Sequence, residues 1–453
     1  MKPKLLRSLT VCYVIAVAIQ IAWYVACAGH LTASESLLGW MPKAYSPPLI
    51  ARVVGLCLLL ISAIGIRYPI AAAASVTATA FGIARYSAEL EWAWVNAFQF
   101  CVILNAAVAL TLNPQLHSSW SRFRQKHFTT GVLLAGVMVW AIVSEVLAIA
   151  FQSGEPGPKH HVLRIIESVI LCAVIVTSIT DFKRFVVVVA VAILALGATF
   201  LQLNRLEHAS DFAFAAVPLS CLVAGTTSAL SAAYVVPGAL LSLLLASASF
   251  LTANRAANVG WALTMTCLVV VRIRSVRAWA VLGILIAVSS VVAYQSPLRP
   301  RIEEWVDHGW STTTLASRIE FWKSSLSQTP NRLFTGIGPG RGGQEMSKDL
   351  HLNKWRATHN SLLEMLSEQG VIGLLLWCCL LFSALKTCLL KLRRETAYER
   401  AMAMGIGAYL LAMLVASMAI SRHDDPRLFW AIGCAFAMNT ARFDTIRRPE
   451  IAS

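Results

Sequence analysis

Charged residues are scarce in this chain of 453 residues. Asp, Glu, Lys and Arg together make up 13% of it, against about 25% in soluble globular domains. The mean hydropathy is +0.65, and apolar runs of roughly 17–22 residues, each long enough to cross a bilayer, recur along the whole chain. These proportions exclude a soluble globular protein and predict an all-α polytopic membrane protein.

The chain also lacks the cysteine patterns of a disulfide framework or a metal site. Its eleven cysteines are an odd number, nearly all lie inside apolar runs, and the long polar segment that begins near residue 295 has none. No CxxC pair and no His, Asp or Glu set has a recognisable metal-ligand spacing. The cysteines are therefore interpreted as small buried hydrophobes, and we predict neither a metal ion nor another cofactor.

The net charge of +15 could indicate a nucleic-acid partner, but its distribution argues against one. Lys and Arg cluster in short loops at alternate ends of the apolar runs, which is the positive-inside pattern of membrane proteins. Arg67, the group Arg122/Arg124/Lys126 and the pair Lys183/Arg184 are among the residues predicted to be cytoplasmic. We expect both termini in the cytoplasm, and membrane lipids rather than nucleic acid around the protein.

Fourteen apolar runs are candidate membrane spans. They lie at about 8–29, 49–66, 70–86, 92–112, 129–151, 162–180, 185–203, 212–230, 233–252, 259–271, 278–294, 366–390, 400–420 and 428–441. The first is expected to be a retained span, since no convincing cleavage site follows it. We expect about twelve, and up to fourteen, crossings, because one run is short and others carry enough Gly, Pro and Ser to be bent or partial.

This alternation divides the chain into three parts. Residues 1–294 are predicted to form an N-terminal transmembrane bundle, 295–365 a large periplasmic loop domain, and 366–453 the C-terminal helices and a cytoplasmic tail. Eight of the ten histidines and several arginines at span ends then fall on the periplasmic side. Such arginines either snorkel to lipid headgroups or form a basic mouth suited to an anionic lipid substrate.

The polar segment contains an amphipathic stretch and a glycine-rich turn. Leu315, Arg318 and Trp322 share one face at helical spacing. Arg318 either snorkels there or binds a desolvated anion, for which its fork of donors suits phosphate. The turn Gly336-x-Gly338-x-Gly340 permits positive φ and could present N–H groups to an anion, although it could equally be only a tight loop.

His359 lies just before a predicted helix start. Ser361 and Glu364 have the spacing of a capping box, which places that start near residue 361. The positive end of a helix disfavours a protonated imidazole, so we expect His359 to be neutral near pH 7, as a general base requires. A histidine that merely hydrogen-bonds the loop is the structural alternative.

Two charged sites flank other spans. Arg255 lies at an outer span end, where an arginine is costly unless it is paired or binds an anion. Asp424 and Asp425 could orient a histidine or bind a sugar, but pairing with Arg422 and Arg427 is the simpler expectation.

Together these residues resemble the O-antigen ligase/O-antigen polymerase family of bacterial membrane glycosyltransferases. The matching pattern is Arg318-x3-Trp322, Pro330, Gly336-x-Gly338-x-Gly340, His359-Asn360 and Glu368-x-Gly370-x2-Gly373, with Arg255 in an Asn-Arg-Ala setting upstream. The upstream motif of the family usually has serine where this chain has Asn254. The close match covers about 70 residues.

The resemblance implies a GT-C-type membrane glycosyltransferase that takes a glycan from an undecaprenyl-pyrophosphate donor, with inversion and without a metal. It implies His359 as the base and Arg255 and Arg318 as pyrophosphate ligands, with Arg205 and Arg341 as lesser candidates. The remaining candidate substrate-binding residues are Asn360, Trp322, Gly336, Gly338, Gly340, Asp424 and Asp425.

A ligase would pass the glycan to lipid A–core, and a polymerase to another lipid-linked glycan. One large loop, rather than two comparable outer loops, favours the ligase. A lipid-glycan flippase or anion transporter would require charged residues at mid-span, where Glu145 and Glu167 are almost the only candidates, and no internal repeat supports one.

Overall fold

A computed structural model describes most of the chain. The described residues are 3–30, 49–83, 92–151, 160–201, 209–230, 232–250, 255–271, 283, 313–328, 332–351, 358–393, 396–418 and 423–439. Within these residues the chain is α-helical and contains no β-strand. The predicted all-α class is confirmed for this part of the chain.

Ten helices precede the polar segment. They are α1 (Pro3–His30), α2 (Leu49–Ile64), α3 (Pro69–Ala78), α4 (Trp92–Thr111), α5 (Pro114–Phe151), α6 (His160–Ser178), α7 (Phe182–Leu201), α8 (Ala209–Ser228), α9 (Ala232–Phe250) and α10 (Arg255–Val271). A π-helical turn, Thr79–Ile83, continues α3.

Five more described helices follow. They are α11 (Thr313–Gln328), α12 (Gly342–Asp349), α13 (Ser361–Lys391), α14 (Ala397–Ser417) and α15 (Pro426–Ala437). Thirteen of the fourteen predicted spans coincide with described helices, and 278–294 lies outside the described residues except for 283. The agreement follows from physics, because a backbone in hydrocarbon must bond within its own helix.

Five described helical stretches are long and apolar enough to cross a membrane. They are Phe128–Ala150, His161–Ser178, Phe182–Thr199, Ser361–Lys391 and Ala397–Ser417. Seven other apolar helices are shorter. Large apolar side chains such as Leu194, Leu244 and Phe382 are more than half exposed on the helix surfaces, where lipid would cover them. The chain is therefore a polytopic membrane protein.

The main core lies where α6, α8, α14 and α15 pack together. Tyr409 and Trp430 are fully buried there, with ring centroids 5.5 Å apart. The indole Nε1 of Trp430 donates to Thr77 Oγ1 at 3.0 Å, so the π-helical end of α3 is joined to the C-terminal helices. This core fixes the N-terminal ends of α6 and α15 beside each other.

One predicted loop is wrong. Arg122, Arg124 and Lys126 were expected in a loop before a span, but helix α5 begins at Pro114 and continues through them to Phe151. Pro at the first helical position is compatible with the helix because its missing N–H has no partner there in any helix. A polar helical extension and a polar loop have the same composition, so hydropathy alone could not separate them.

Candidate active site

Helix α13 is broken at Gly370, where φ is 68° and ψ is −173°. Such a break frees backbone groups from their partners within the helix, which is costly in an apolar environment. The carbonyls before the break and one N–H after it bond to other parts of the chain instead. The bonds are Ile337 N to Ser367 O (2.9 Å), Gly338 N to Glu368 O (2.8 Å), Trp140 Nε1 to Gln369 O (2.8 Å) and Val371 N to Leu333 O (2.8 Å).

The glycine turn, residues 336–343, fits against this break. Gly336, Gly338 and Gly340 have φ values of 69°, 96° and 77°, a region that side chains other than glycine rarely adopt. A Cβ on Gly336 would overlap the backbone of Glu368, and one on Gly340 would overlap the ring of His161. Two glycine motifs far apart in the sequence are therefore two sides of one contact.

The carboxylate of Glu368 lies inside the glycine turn. Its Oε2 accepts from Gly340 N at 2.8 Å and its Oε1 from Gly342 N at 3.2 Å, and Glu368 is 2% exposed. The turn does bind an anion, but the anion belongs to the protein. Gly336 N also donates to a carbonyl, that of Arg332, and Gly338 N to that of Glu368, so of the two alternatives this structure has the tight loop.

His423 lies between two carboxylates of α13. Its Nδ1 is 3.3 Å from Glu364 Oε2 and its Nε2 is 3.8 Å from Glu368 Oε2. Burial lowers the pKa of His423, but the hydrogen bond and charge of Glu364, followed by the charges of Asp424 and Glu368, outweigh it and raise the pKa to about 9. His423 is therefore the cation between these groups near neutral pH.

Asp424 connects this region to helix α6. Its Oδ2 is 3.2 Å from His161 Nδ1 and 3.5 Å from Arg164 Nη1. Burial alone would raise the pKa of Asp424, but the nearby charges of Arg164, His161 and His423 and the hydrogen bond from His161 hold it well below its usual value. Asp424 thus contacts a histidine and an arginine of α6, whereas its expected partner Arg422 lies outside the described residues.

Asp425 has the predicted pairing. Its carboxylate accepts from Arg427 Nε at 2.8 Å and from Arg427 Nη2 at 2.6 Å, and both residues are buried. Asp425 also caps α15, because Oδ1 accepts from Arg427 N at 2.9 Å. Its bonds are therefore those of a helix cap and a buried ion pair. Arg422 lies outside the described residues.

His359 occupies a strained position between two fixed neighbours. Its φ of 54° is left-handed, which is uncommon for a residue with a side chain. Thr358 is buried and its carbonyl accepts from Trp322 Nε1 at 2.9 Å. Asn360 follows as the N-cap of α13, where its Oδ1 accepts from the N–H groups of Leu362 and Leu363.

The predicted capping box is therefore wrong in its residues, although its helix start is correct. Asn360 rather than Ser361 is the cap, and the Glu364 side chain contacts His423. Asparagine is as good a cap as serine, so the pair Asn360/Ser361 offers two starts one residue apart. Only the backbone conformation shows which of the two residues is the cap.

Helix α11 joins the rest of the site through two hydrogen bonds. One is the bond from Trp322 to Thr358 O, and the other runs from Ser324 Oγ to Asp349 Oδ2 at 2.6 Å, at the end of α12. The predicted helix is confirmed, but its buried face is not the apolar stripe. Ser324 is buried whereas Ile319 is 40% exposed, because α11 is held here by polar contacts. Arg318 is partly exposed on this helix.

Arg341 is placed differently from the other candidate arginines. It is 2% exposed, and its Nη2 donates to Glu145 Oε1 at 2.8 Å. Arg255 begins helix α10, but its side chain and the whole of Arg205 lie outside the described residues. The structure thus brings His359, Asn360 and Trp322 together, and joins the glycine turn to Asp424 through Glu368 and His423.

Some of these partners were not predicted as a cluster. Glu364 and Glu368 are one helical turn apart at the start of an apolar helix, a spacing that places both carboxylates on one face and requires nearby cations. That signal was available in the sequence. The identity of the cations, His423 from the segment before α15 and His161 and Arg164 from α6, depends on packing between distant parts of the chain.

The fold and this site define an α-helical membrane protein with a polar, charged site where the ends of several helices meet. The family described as O-antigen ligase matches residues 240–378. That range includes the glycine turn, His359 and the break at Gly370, so the family resemblance indicated by the motifs is confirmed. A comparison with curated proteins gave no match.

Proposed function

We propose that the protein is an O-antigen ligase of the bacterial inner membrane with a periplasmic active site. In this proposal it transfers a glycan from undecaprenyl pyrophosphate to a sugar hydroxyl of lipid A–core. The family match at residues 240–378 supports the class of enzyme. One observation supports His359 as the base. Its backbone has a left-handed φ of 54° and is fixed between the buried Thr358 and the helix cap Asn360.

The reaction needs a base for the incoming hydroxyl and cations for the departing pyrophosphate. The acceptor oxygen attacks the anomeric carbon as the bond from that carbon to the pyrophosphate oxygen breaks. The hydroxyl proton passes to His359, and undecaprenyl pyrophosphate leaves. Attack from the opposite side inverts the anomeric centre. The position of His359 before a helix start favours its neutral form, which can accept the proton.

Arg318 and Arg255 are the proposed pyrophosphate ligands, with Arg205 as a lesser candidate. Trp322 keeps the helix of Arg318 against the segment of His359 through its bond to Thr358 O. Arg341 is not retained in this role, because its guanidinium is buried against Glu145. The charge of the pyrophosphate is neutralised by arginines in this proposal, without a metal ion.

The polymerase of the same family is the second candidate, because the motifs are shared. It would use a second lipid-linked glycan as acceptor in place of lipid A–core. A single long polar segment between apolar runs favours the ligase. The acceptor therefore separates the two activities.

The test is transfer by purified protein in detergent from a glycan-loaded undecaprenyl-pyrophosphate lipid to rough lipopolysaccharide. Substitution His359→Ala should lower turnover by about 10²–10⁴ and leave donor binding nearly intact. His351→Ala is a matched control, since His351 also has a positive φ of 52° and is exposed. It should transfer at the wild-type rate.

Arg318→Lys tests the anion ligand, since lysine keeps the charge but loses the bidentate fork. It should weaken donor binding as well as turnover. Wild-type protein that lengthened the donor glycan but left rough lipopolysaccharide unmodified would be a polymerase. Equal rates for His359→Ala and His351→Ala would exclude His359 as the base.

A further inference from the structure

We propose that Glu368 is a positioning residue of the glycosyl-transfer site, and that His423, whose Nε2 is 3.8 Å from Glu368 Oε2, supports its carboxyl group against the glycine turn. This inference rests on the proposed function for its assay. Glu368 does not touch the substrate in this proposal. It fixes the parts of the chain that carry His359 and Arg318 relative to each other.

The two proposed reacting groups are connected to helix α13 by different routes. His359 is joined to it directly, because Asn360 caps the helix. Arg318 lies on α11, which is joined to the segment before α13 by the bond from Trp322 to Thr358 O and to α13 itself by a second route through α12. Ser324 on α11 bonds Asp349 at the end of α12, and the start of α12 is held by the carboxylate of Glu368.

The Glu368 carboxyl group is where α12 contacts α13 in this second route. It accepts from the N–H groups of both Gly340 and Gly342, immediately before and within the first turn of α12. An amide in its place offers only one acceptor oxygen, so Glu368→Gln must leave one of these buried N–H groups facing an NH₂ group. A carboxylate also suits the positive end of α12 better than an amide does.

Acidic and basic side chains surround His423. It is faced by Glu364 and Glu368 from α13 and by its neighbour Asp424, which in turn contacts His161 and Arg164 of α6. Asp425 and Arg427 form a separate, internally neutral pair. Three carboxyl groups therefore face one arginine and two histidines, and a proton on His423 places a cation beside Glu364 and Glu368.

Loss of the His423 proton would remove the cation nearest to Glu364 and Glu368 and leave His161 and Arg164 beside Asp424. The sign follows from linkage. Because the pKa of His423 is raised, the attraction is fully present below the ordinary histidine value of about 6.5 and is lost as the pH rises through about 9. The transfer rate should therefore fall on the alkaline side with a midpoint near 9, whereas titration of the base His359 governs the acidic side.

The experiment measures transfer against pH for wild type, Glu368→Gln, His423→Gln and Glu345→Gln. Glu368→Gln should lower kcat about 10- to 100-fold near neutral pH, the size expected from a small misplacement of reacting groups, with little change in KM for the donor. The transfer rate of Glu368→Gln should also no longer fall at high pH, since this variant has no Glu368 charge for His423 to balance. His423→Gln should lower the transfer rate by a similar factor, and its rate should also no longer fall at high pH.

The control residue Glu345 pairs with Lys348 on the exposed face of α12. The transfer rate of Glu345→Gln should fall at both low and high pH, as in the wild type.

The pH dependence of the wild-type transfer rate tests the proposal even if a variant fails to fold. A wild-type rate that stays constant through pH 9 would overturn the proposal, and so would a folded Glu368→Gln protein with the wild-type rate. Absence of transfer by wild type at every pH would instead refute the proposed function. If the residual transfer rate of His359→Ala no longer fell at low pH but still fell at high pH, this would support both His359 as the base and Glu368 as a positioning residue.

Discussion

At the scale of single residues, the structure separates two kinds of arginine. Arg341 is buried and bonded to Glu145 at 2.8 Å, whereas Arg318 is partly exposed on α11. Removal of one partner from a buried ion pair leaves an uncompensated charge, which costs more than removal of both. Arg341 and Glu145 should therefore behave as a pair in stability.

This pairing is testable with a double-mutant cycle. Arg341→Gln alone should destabilise the protein by about 3–5 kcal/mol, because Glu145 keeps a buried charge. The double variant Glu145→Gln/Arg341→Gln should recover much of that loss, as measured by thermal unfolding in detergent. It should also bind the donor lipid with wild-type affinity. A folded double variant that no longer bound the donor would return Arg341 to the set of pyrophosphate ligands.

At the scale of elements, the N-terminus of α13 has a structural and a proposed functional role. Asn360 accepts two N–H groups at this end, and His359 immediately precedes it. Thr396 caps α14 in a comparable way by accepting from Glu399 N at 3.3 Å. The two caps are thus a matched pair, of which only one adjoins the proposed base.

Substitution Asn360→Ala and substitution Thr396→Ala should each cost about 1 kcal/mol of stability, read as a lowered Tm in detergent. Only Asn360→Ala should also reduce the glycan-transfer rate, because loss of this cap frees the backbone that fixes His359. Equal transfer rates in the two variants would show that the cap has no influence on the base.

Sequence patterns predicted most of the described helices, but neither the polar start of α5 nor helix α12, and not the contacts between helices. Apolar run length indicated helices that the structure contains, since it is a local property, whereas the break at Gly370 was not predicted. The exchange of backbone bonds between the break at Gly370 and the glycine turn could not be predicted, because it depends on how residues some thirty positions apart are packed. The pairing of His161 with Asp424 was likewise beyond a one-dimensional pattern.

At the scale of the whole molecule, the alternating basic loops predict which end of the bundle faces the periplasm. The C-terminal end of α5 and the N-terminal ends of α6, α13 and α15 meet at the site. The predicted topology places all of these ends outside the cytoplasm.

Two exposed lysines give a matched test of that orientation. Lys348, whose side chain is 71% exposed on α12, is predicted to be periplasmic, and Lys183, exposed at the start of α7, to be cytoplasmic. In intact cells, cysteine at Lys348 should react with a membrane-impermeant thiol reagent, and cysteine at Lys183 should react only after lysis. The unsubstituted protein gives the background of the native cysteines. The opposite labelling pattern would invert the topology and remove the proposed site from the periplasm.

The break in α13 also determines the order in which contacts of the site can form during translation. The glycine turn leaves the ribosome before Gly370 and before His423, yet its N–H groups bond to carbonyls next to Gly370 and its carboxylate partner is balanced by His423. The turn therefore has no complete set of partners until the last helices have been translated and inserted. A nascent chain arrested before His423 holds every motif of residues 240–378 but lacks the histidine that lies between Glu364 and Glu368, so the charged cluster is completed only near the end of translation.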